Sequence, residues 1–129
     1  MEKTNFENLD IYKLSEQLSD SIWEIVCSWN NLAKDTIGKQ VIRSTDGIGA
    51  NIAEGSGRGT PQDNRRFLRM ARGSLYETRH WFRRAHKRSL LTAEQTEVLL
   101  PIISELIPKL NAYIRRVDQT VKSEKKSGK

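Results

Sequence analysis

Apolar residues recur along this chain at three- and four-residue intervals, the period of a helix that buries one face. The first such segment, about residues 8–30, carries Ile11, Leu14, Leu18, Ile22, Ile25, Val26 and Trp29. At about 100° per residue these share one face roughly 120° wide. Tyr12 and Trp23 flank that face, where they either broaden the core or form a subunit interface. A second helix is expected after Asp35, whose carboxylate suits an N-cap, with Ile37, Val41, Thr45, Ile48 and Ile52 on one side. Beyond that side lie Gly47, Gly49, Ala50 and Ala53. Glycines inside a helix cost about 1 kcal/mol each against alanine, so a neighbouring backbone is expected to approach closely there. Gly55, Gly57 and Gly59 then end the helix.

Thr60, Pro61 and Asp63 form a clear start for a third helix: a cap, a proline suited to the first turn, and an acid at the positive end of the dipole. Nothing forces a break before Arg88, and the buried face reads Phe67, Ala71, Ser74, Leu75, Thr78, Trp81, Phe82 and Ala85. Thr92 and Gln95 make a capping box for a fourth helix. Its face is Val98, Leu99, Ile102, Ile103, Leu106, Ile107, Leu110, Ile114 and Val117. Pro101 and Pro108 are expected to bend it. Beyond Val117 the sequence turns polar, which places one domain at residues 1–121 and a basic flexible tail at 122–129. Four helices with short turns predict an all-α, up-down antiparallel four-helix bundle.

Charge changes this picture. The chain has 129 residues with 22 Lys+Arg against 16 Asp+Glu, a formal net charge of +6. Residues 65–88 hold nine of those cations (Arg65, Arg66, Arg69, Arg72, Arg79, Arg83, Arg84, Lys87 and Arg88) and one acid, Glu77. The remainder therefore carries thirteen cations against fifteen acids, and the third helix supplies the whole basic character. Arg65, Arg69, Arg72, Arg79, Arg83 and Lys87 fall within roughly 80° of one another, on the side away from Phe67, Leu75 and Phe82. A solvated helix face normally mixes signs for i,i+4 pairs, whereas this one stacks like charges. Arginine also favours planar, bidentate contact with phosphate or carboxylate. A polyanion-binding surface follows, or one that docks an acidic protein. On the face that carries the arginines only Tyr76 is aromatic, so base stacking has little support.

The chemistry of catalysis and cofactors finds little foothold. His80 and His86 point about 120° apart on one helix, and Cys27 has no partner thiol, so neither a metal site nor an internal disulfide is expected. The string Gly55-Ser56-Gly57-Arg58-Gly59-Thr60 lacks the lysine of a phosphate loop and follows a helix. Gly47-Ile48-Gly49-Ala50-Asn51-Ile52 lacks the last glycine of a dinucleotide fingerprint and the strand before it. Glu54 and Glu77 are better read as structural. Glu54 stands four residues before Arg58, and with Asn51 and Ser74 these residues are expected to form a polar cluster tying helices two and three. No cofactor and no enzymatic activity are expected. The amino terminus lacks an apolar leader and no run is long enough to span a membrane, which predicts a cytoplasmic protein.

Several of these residues recur as a set. Phe6-x-x-Leu9-x-x-Tyr12, Arg43, Asn51-Ile52-Ala53-Glu54-Gly55 with Arg58, Phe67-Leu68, and Gly73-Ser74-Leu75-x-Glu77 together resemble the proteins encoded in intervening sequences of bacterial 23S ribosomal RNA genes. The resemblance covers about residues 6–117. A related branch is the accessory protein of diversity-generating retroelements, which works with a reverse transcriptase and RNA. The resemblance implies a left-turning up-down bundle, a homopentameric ring and nucleic-acid binding, RNA ahead of DNA. The alternative is a protein adaptor whose basic face docks an acidic protein or, as the related branch suggests, a reverse transcriptase–RNA complex. This chain departs from the pattern at Tyr12, where the family commonly has tryptophan, at Ser44-Thr45, where it has two alanines, and at Gly47-Ile48-Gly49, where it has Ser-Ile-Pro.

Overall fold

The helical period becomes four long helices in the computed structural model, which describes residues 5–128. They are α1 (Asp10–Cys27), α2 (Lys39–Gly57), α3 (Pro61–Lys87) and α4 (Ala93–Lys126). A 3-10 turn, Asn5–Asn8, leads into α1. Among the described residues there is no strand.

Contacts between helices fix their directions. Along α2, Arg43 meets Glu77, Ser44 meets Thr78, Gly47 lies against Ser74 and Gly55 against Asn64, so α3 runs the opposite way. Arg65 and Arg72 on α3 meet Asp118 and Asn111 on α4, again in descending order. Gly49 beside Ser15 and Gly38 beside Val26 set α1 antiparallel to α2. Each long helix has two neighbours in the order α1, α2, α3, α4 and back to α1. The enclosed core includes Leu18, Ile48, Ile52, Leu75, Leu99, Leu106 and Leu110, all essentially inaccessible. Burying each such side chain contributes about 1.5–3 kcal/mol.

The small residues of α2 work as expected. A Cβ on Gly47 would come within 3.1 Å of Ser74 Oγ, and one on Gly49 within 3.0 Å of Ser15 Oγ. Gly55 is tighter, with Asn64 Oδ1 at 2.7 Å and Phe67 Cβ at 2.9 Å, so here α3 crosses directly over the α2 backbone. The helix nevertheless continues to Gly57, and the chain turns at Gly59, whose φ of +89° favours glycine.

Three boundaries and one buried face differ from the sequence reading. The lead-in to α2 starts at Asn31, because the Asn30 side chain accepts from the Ala33 amide at 2.9 Å; Asp35 is not the cap and lies inside a π-turn, Lys34–Gly38. That wide turn seats Gly38 against Val26, where a Cβ would approach Cγ1 to 2.8 Å. Second, α3 ends at Lys87 with the backbone bonds of a Schellman motif, Leu90 N to Ala85 O at 2.9 Å and Ser89 N to His86 O at 3.1 Å. Ser89 takes the left-handed φ of +60° that glycine usually fills, and Trp29 Nε1 fastens the loop by donating to Leu90 O at 2.9 Å. Third, α4 does not fray at Lys122. It passes through Pro101 and Pro108, both exposed, and on to Lys126, with Val121 buried one turn beyond Val117. Lys122, Lys125 and Lys126 are therefore helical; residues 1–4 and 129 lie outside the described residues. Fourth, Val98 is exposed while Leu68, outside the expected face, is buried.

Candidate nucleic-acid interface

The basic row on α3 has the helix geometry that its spacing predicts, but α4 runs beside it. Its side chains lie on the flank facing α4, not opposite the core. This placement splits the row into two halves.

Near the start of α3, Arg65 Nη1 donates to Asp118 Oδ1 at 3.3 Å and Arg69 Nη2 donates to the same oxygen at 3.2 Å. The Arg65 and Asp118 side chains are 19% and 26% exposed, so this pair is shielded from water, whereas Arg69 is half exposed. One turn on, Arg72 Nη1 donates to Asn111 Oδ1 at 3.2 Å, a neutral acceptor that leaves its charge uncompensated. Farther along, Arg79, Arg83 and Lys87 are exposed and have no acid within ion-pair distance among the described residues. Arg84 and Arg88 add two more unpaired cations at this end. The carboxyl end of a helix carries partial negative charge, which favours cations there.

The unpaired half borders two hollows that share Phe82, Arg83 and Leu100 in their walls. One, of about 330 Å³, is lined by Arg79, Phe82 and Arg83 from α3 and by Leu100, Ser104 and Ile107 from α4, among others. The other, of about 640 Å³, adds Arg84, His86, Lys87 and Thr96. The result is a basic wall beside an apolar floor, with Leu100 48% exposed.

The five residues expected to form one polar cluster are not gathered together. Glu54 accepts from Arg58 at 2.7 Å within one exposed turn. Asn51 Nδ2 donates to Gly47 O at 2.9 Å. Glu77 accepts from Arg43 at 3.3 Å and from Trp81 Nε1 at 3.1 Å, which does tie α2 to α3. Ser74 contributes its carbonyl to Thr78 and packs its hydroxyl against Gly47. The antiparallel register separates Glu54 from Glu77: Gly55 lies against Asn64, whereas Glu77 lies at the level of Arg43. The buried tie between helices is instead Ser44, Thr45 and Thr78. Thr78 Oγ1 lies 2.9 Å from Ser44 Oγ and 3.4 Å from Thr45 Oγ1. Two of these hydroxyls stand where the resembled family carries alanines. Arg58 and Arg66 cover the Phe67 ring at 4.9 and 4.6 Å, which occupies both in packing.

Sequence reasoning passed over Asp118 and Asn111. Their signal is a row on α4, Leu100, Ile107, Asn111 and Asp118, spaced by seven, four and seven residues and grading from apolar to acidic. Tyr12 and Trp23 also part company: Tyr12 is half-buried with Phe6 edge-on at 4.9 Å, while Trp23 is 58% exposed. Among the described residues no group of three metal-ligating side chains occurs, and no helix is long and apolar enough to cross a membrane.

The class that this fold defines is the all-α four-helix bundle. Comparison makes this narrower. Residues 7–112 match the family described as 23S rRNA-intervening sequence protein, and the chain belongs to that family. A crystal structure of a protein of unknown function from the S23 ribosomal protein family of Bacteroides thetaiotaomicron VPI-5482 is similar in fold. Its TM-score is 0.70 at 23% identity, over 81% of this chain and 97% of that one. No curated protein sequence matches.

Proposed function

We propose that this chain binds nucleic acid, RNA ahead of DNA, through the unpaired end of the α3 row and without catalysing a reaction. The observation that carries this reading is that Arg79, Arg83 and Lys87 share one exposed edge with no acid beside them. Leaving three like charges together costs a few tenths of a kcal/mol per neighbouring pair, a cost that a bound phosphate backbone offsets. The family description supports RNA as the context. Because guanidiniums grip phosphates, Phe82 beside them is buried, and Tyr76 is the aromatic residue that shares their row, the contact is weakly sequence-selective. The protein acts in the cytoplasm as a ring of copies, five by its family resemblance, and exposed Trp23 supplies apolar surface for that contact.

A second reading is favoured by the exposed Leu100 on the groove floor. An acidic protein segment, or a reverse transcriptase carrying RNA, would use the same cations and bury that leucine.

Titration with single-stranded RNA across salt tests the first reading. Affinity should fall linearly on a log–log scale, by about 0.7 per phosphate engaged, and change little with sequence. Salt-independent affinity would sink it, and burial of Leu100 by a purified acidic partner would move the second reading ahead. Light scattering that gives a 14.8 kDa particle at micromolar concentration would remove the ring.

A further inference from the structure

Two guanidiniums of α3 converge on the Asp118 carboxylate of α4. Arg65 and Arg69 both donate to its Oδ1, at 3.3 and 3.2 Å. Those distances are long for charged partners, which prefer about 2.7–2.9 Å. One oxygen serving two guanidiniums cannot give either a bidentate fork. A phosphodiester shares its single charge between two free oxygens and is not tethered to α4, so it can turn one oxygen to each arginine. Asp118 is 26% exposed and Arg69 half exposed, so an anion can reach the pair from solvent without opening the core. Arg69 lies ten residues, about 15 Å, from Arg79 along the same flank, within the run of one bound strand.

We infer that Arg65 and Arg69 form a second phosphate site, filled in the native chain by the carboxylate of Asp118 and opened to a nucleic-acid phosphate when that carboxylate is neutralised. The inference rests on the proposed function for the identity of the anion, but not for the existence of the site. Asp118 thereby acts as an internal competitor. It lowers the number of phosphates that the row engages and keeps two arginines from binding stray anions.

The test uses the full chain as native protein, Asp118→Asn, Arg69→Gln and the double variant, with Glu97→Gln as a charge control on an exposed acid of α4 that has no ion pair. Binding of a short oligouridylate is followed across salt, and inorganic pyrophosphate is titrated separately with melting temperature as the readout. Asp118→Asn should steepen the salt slope by about 1.4, the worth of two single-strand phosphates. Arg69→Gln should do little in the native background and remove about half of that gain in the Asp118→Asn background. Pyrophosphate should raise the melting temperature of Asp118→Asn more than that of native protein, and Arg69→Gln should cancel the difference. Glu97→Gln should leave the slope unchanged.

A native slope that already flattens on Arg69→Gln, with Asp118→Asn silent, overturns the masked site. If Asp118→Asn does not fold, Arg69→Gln alone decides: a flattened slope contradicts the inference and an unchanged one agrees with it. Should native protein show no salt-dependent RNA binding while the pyrophosphate differences hold, the nucleic-acid reading falls and the masked anion site stands. Absent pyrophosphate differences remove the site, whatever RNA does.

Discussion

At Arg65 and Arg69 the basic row of α3 faces a carboxylate, and at Arg79 and Arg83 it faces Leu100, Ser104 and Ile107. Both pairs sit on one helix, four residues apart, in the same register. The difference comes wholly from the neighbouring helix, whose facing row grades from apolar to acidic. Charge near the start of α3 is therefore part of what docks α3 on α4. Charge near its end has no acid within ion-pair distance across the groove among the described residues. A run of arginines is thus not one feature: its physical meaning is set residue by residue by what lies across the groove.

The largest expected effect comes from breaking the paired end. Arg65→Gln with Arg69→Gln leaves the Asp118 carboxylate three-quarters buried without its cations. Hydrogen bonds to charged groups contribute about 1.5–3 kcal/mol, so unfolding free energy should drop by about that much in a urea melt. The matched Arg79→Gln, Arg83→Gln variant should stay within about 0.5 kcal/mol of native, as exposed substitutions do.

A smaller effect belongs to the turn just beyond the unpaired end. Ser89→Gly relieves the left-handed conformation and should stabilise the chain by about 1 kcal/mol, without changing the salt slope for RNA. A changed slope would mean that the unpaired cations depend on a strained loop, and the contrast between the two ends would lose its simple form.

Next, Asn111→Asp extends the paired half by one residue. Its carboxylate would compensate Arg72 as Asp118 compensates Arg69, and the slope should lose up to about 0.7. An unaltered slope would show that Arg72 does not engage phosphate in the native protein.

The smallest effect concerns the other flank of α4, where Lys109 donates to Glu105 at 2.7 Å and lies 3.8 Å from Asp10 of α1. The Glu105 hydrogen bond, aided by the charges of Glu105 and Asp10 and opposed by desolvation, raises this ammonium above the ordinary lysine value of 10.5. A raised folded value stabilises the protein fully below the unfolded value and loses that contribution as pH rises through the folded one. Melting temperature should therefore decline slightly more above pH 10.5 for native protein than for Lys109→Met, with RNA binding below that pH unaffected.

Much of the fold was legible because it depends on period and caps. The Thr92–Gln95 capping box, the Thr60 cap and the faces led by Ile48, Leu75 and Leu106 all appear as the spacing predicts. Helix ends were less legible. Asn30 outcompetes Asp35 as a cap, a serine fills the glycine position after α3, and Val121 draws α4 past a polar stretch. The basic row was visible as a row, but its division was not, because Asp118 lies 49 residues from Arg69 in sequence. Its pairing depends on the register between two helices, which no single-helix pattern carries. The Glu54–Arg58 pair forms as its spacing predicts, but the wider polar cluster misled for the same reason, since the register of α2 on α3 sets Glu77 against Arg43 and not against Glu54.

The division itself is tested most directly by two matched double variants, Arg79→Gln with Arg83→Gln and Arg65→Gln with Arg69→Gln, titrated side by side with single-stranded RNA across salt. Each removes two arginines, so net charge is equal and only location differs. Masking by Asp118 predicts that the first pair flattens the log–log slope by about 1.4 and the second by no more than a few tenths. Equal flattening by both pairs would contradict the division and make the row one uniform surface.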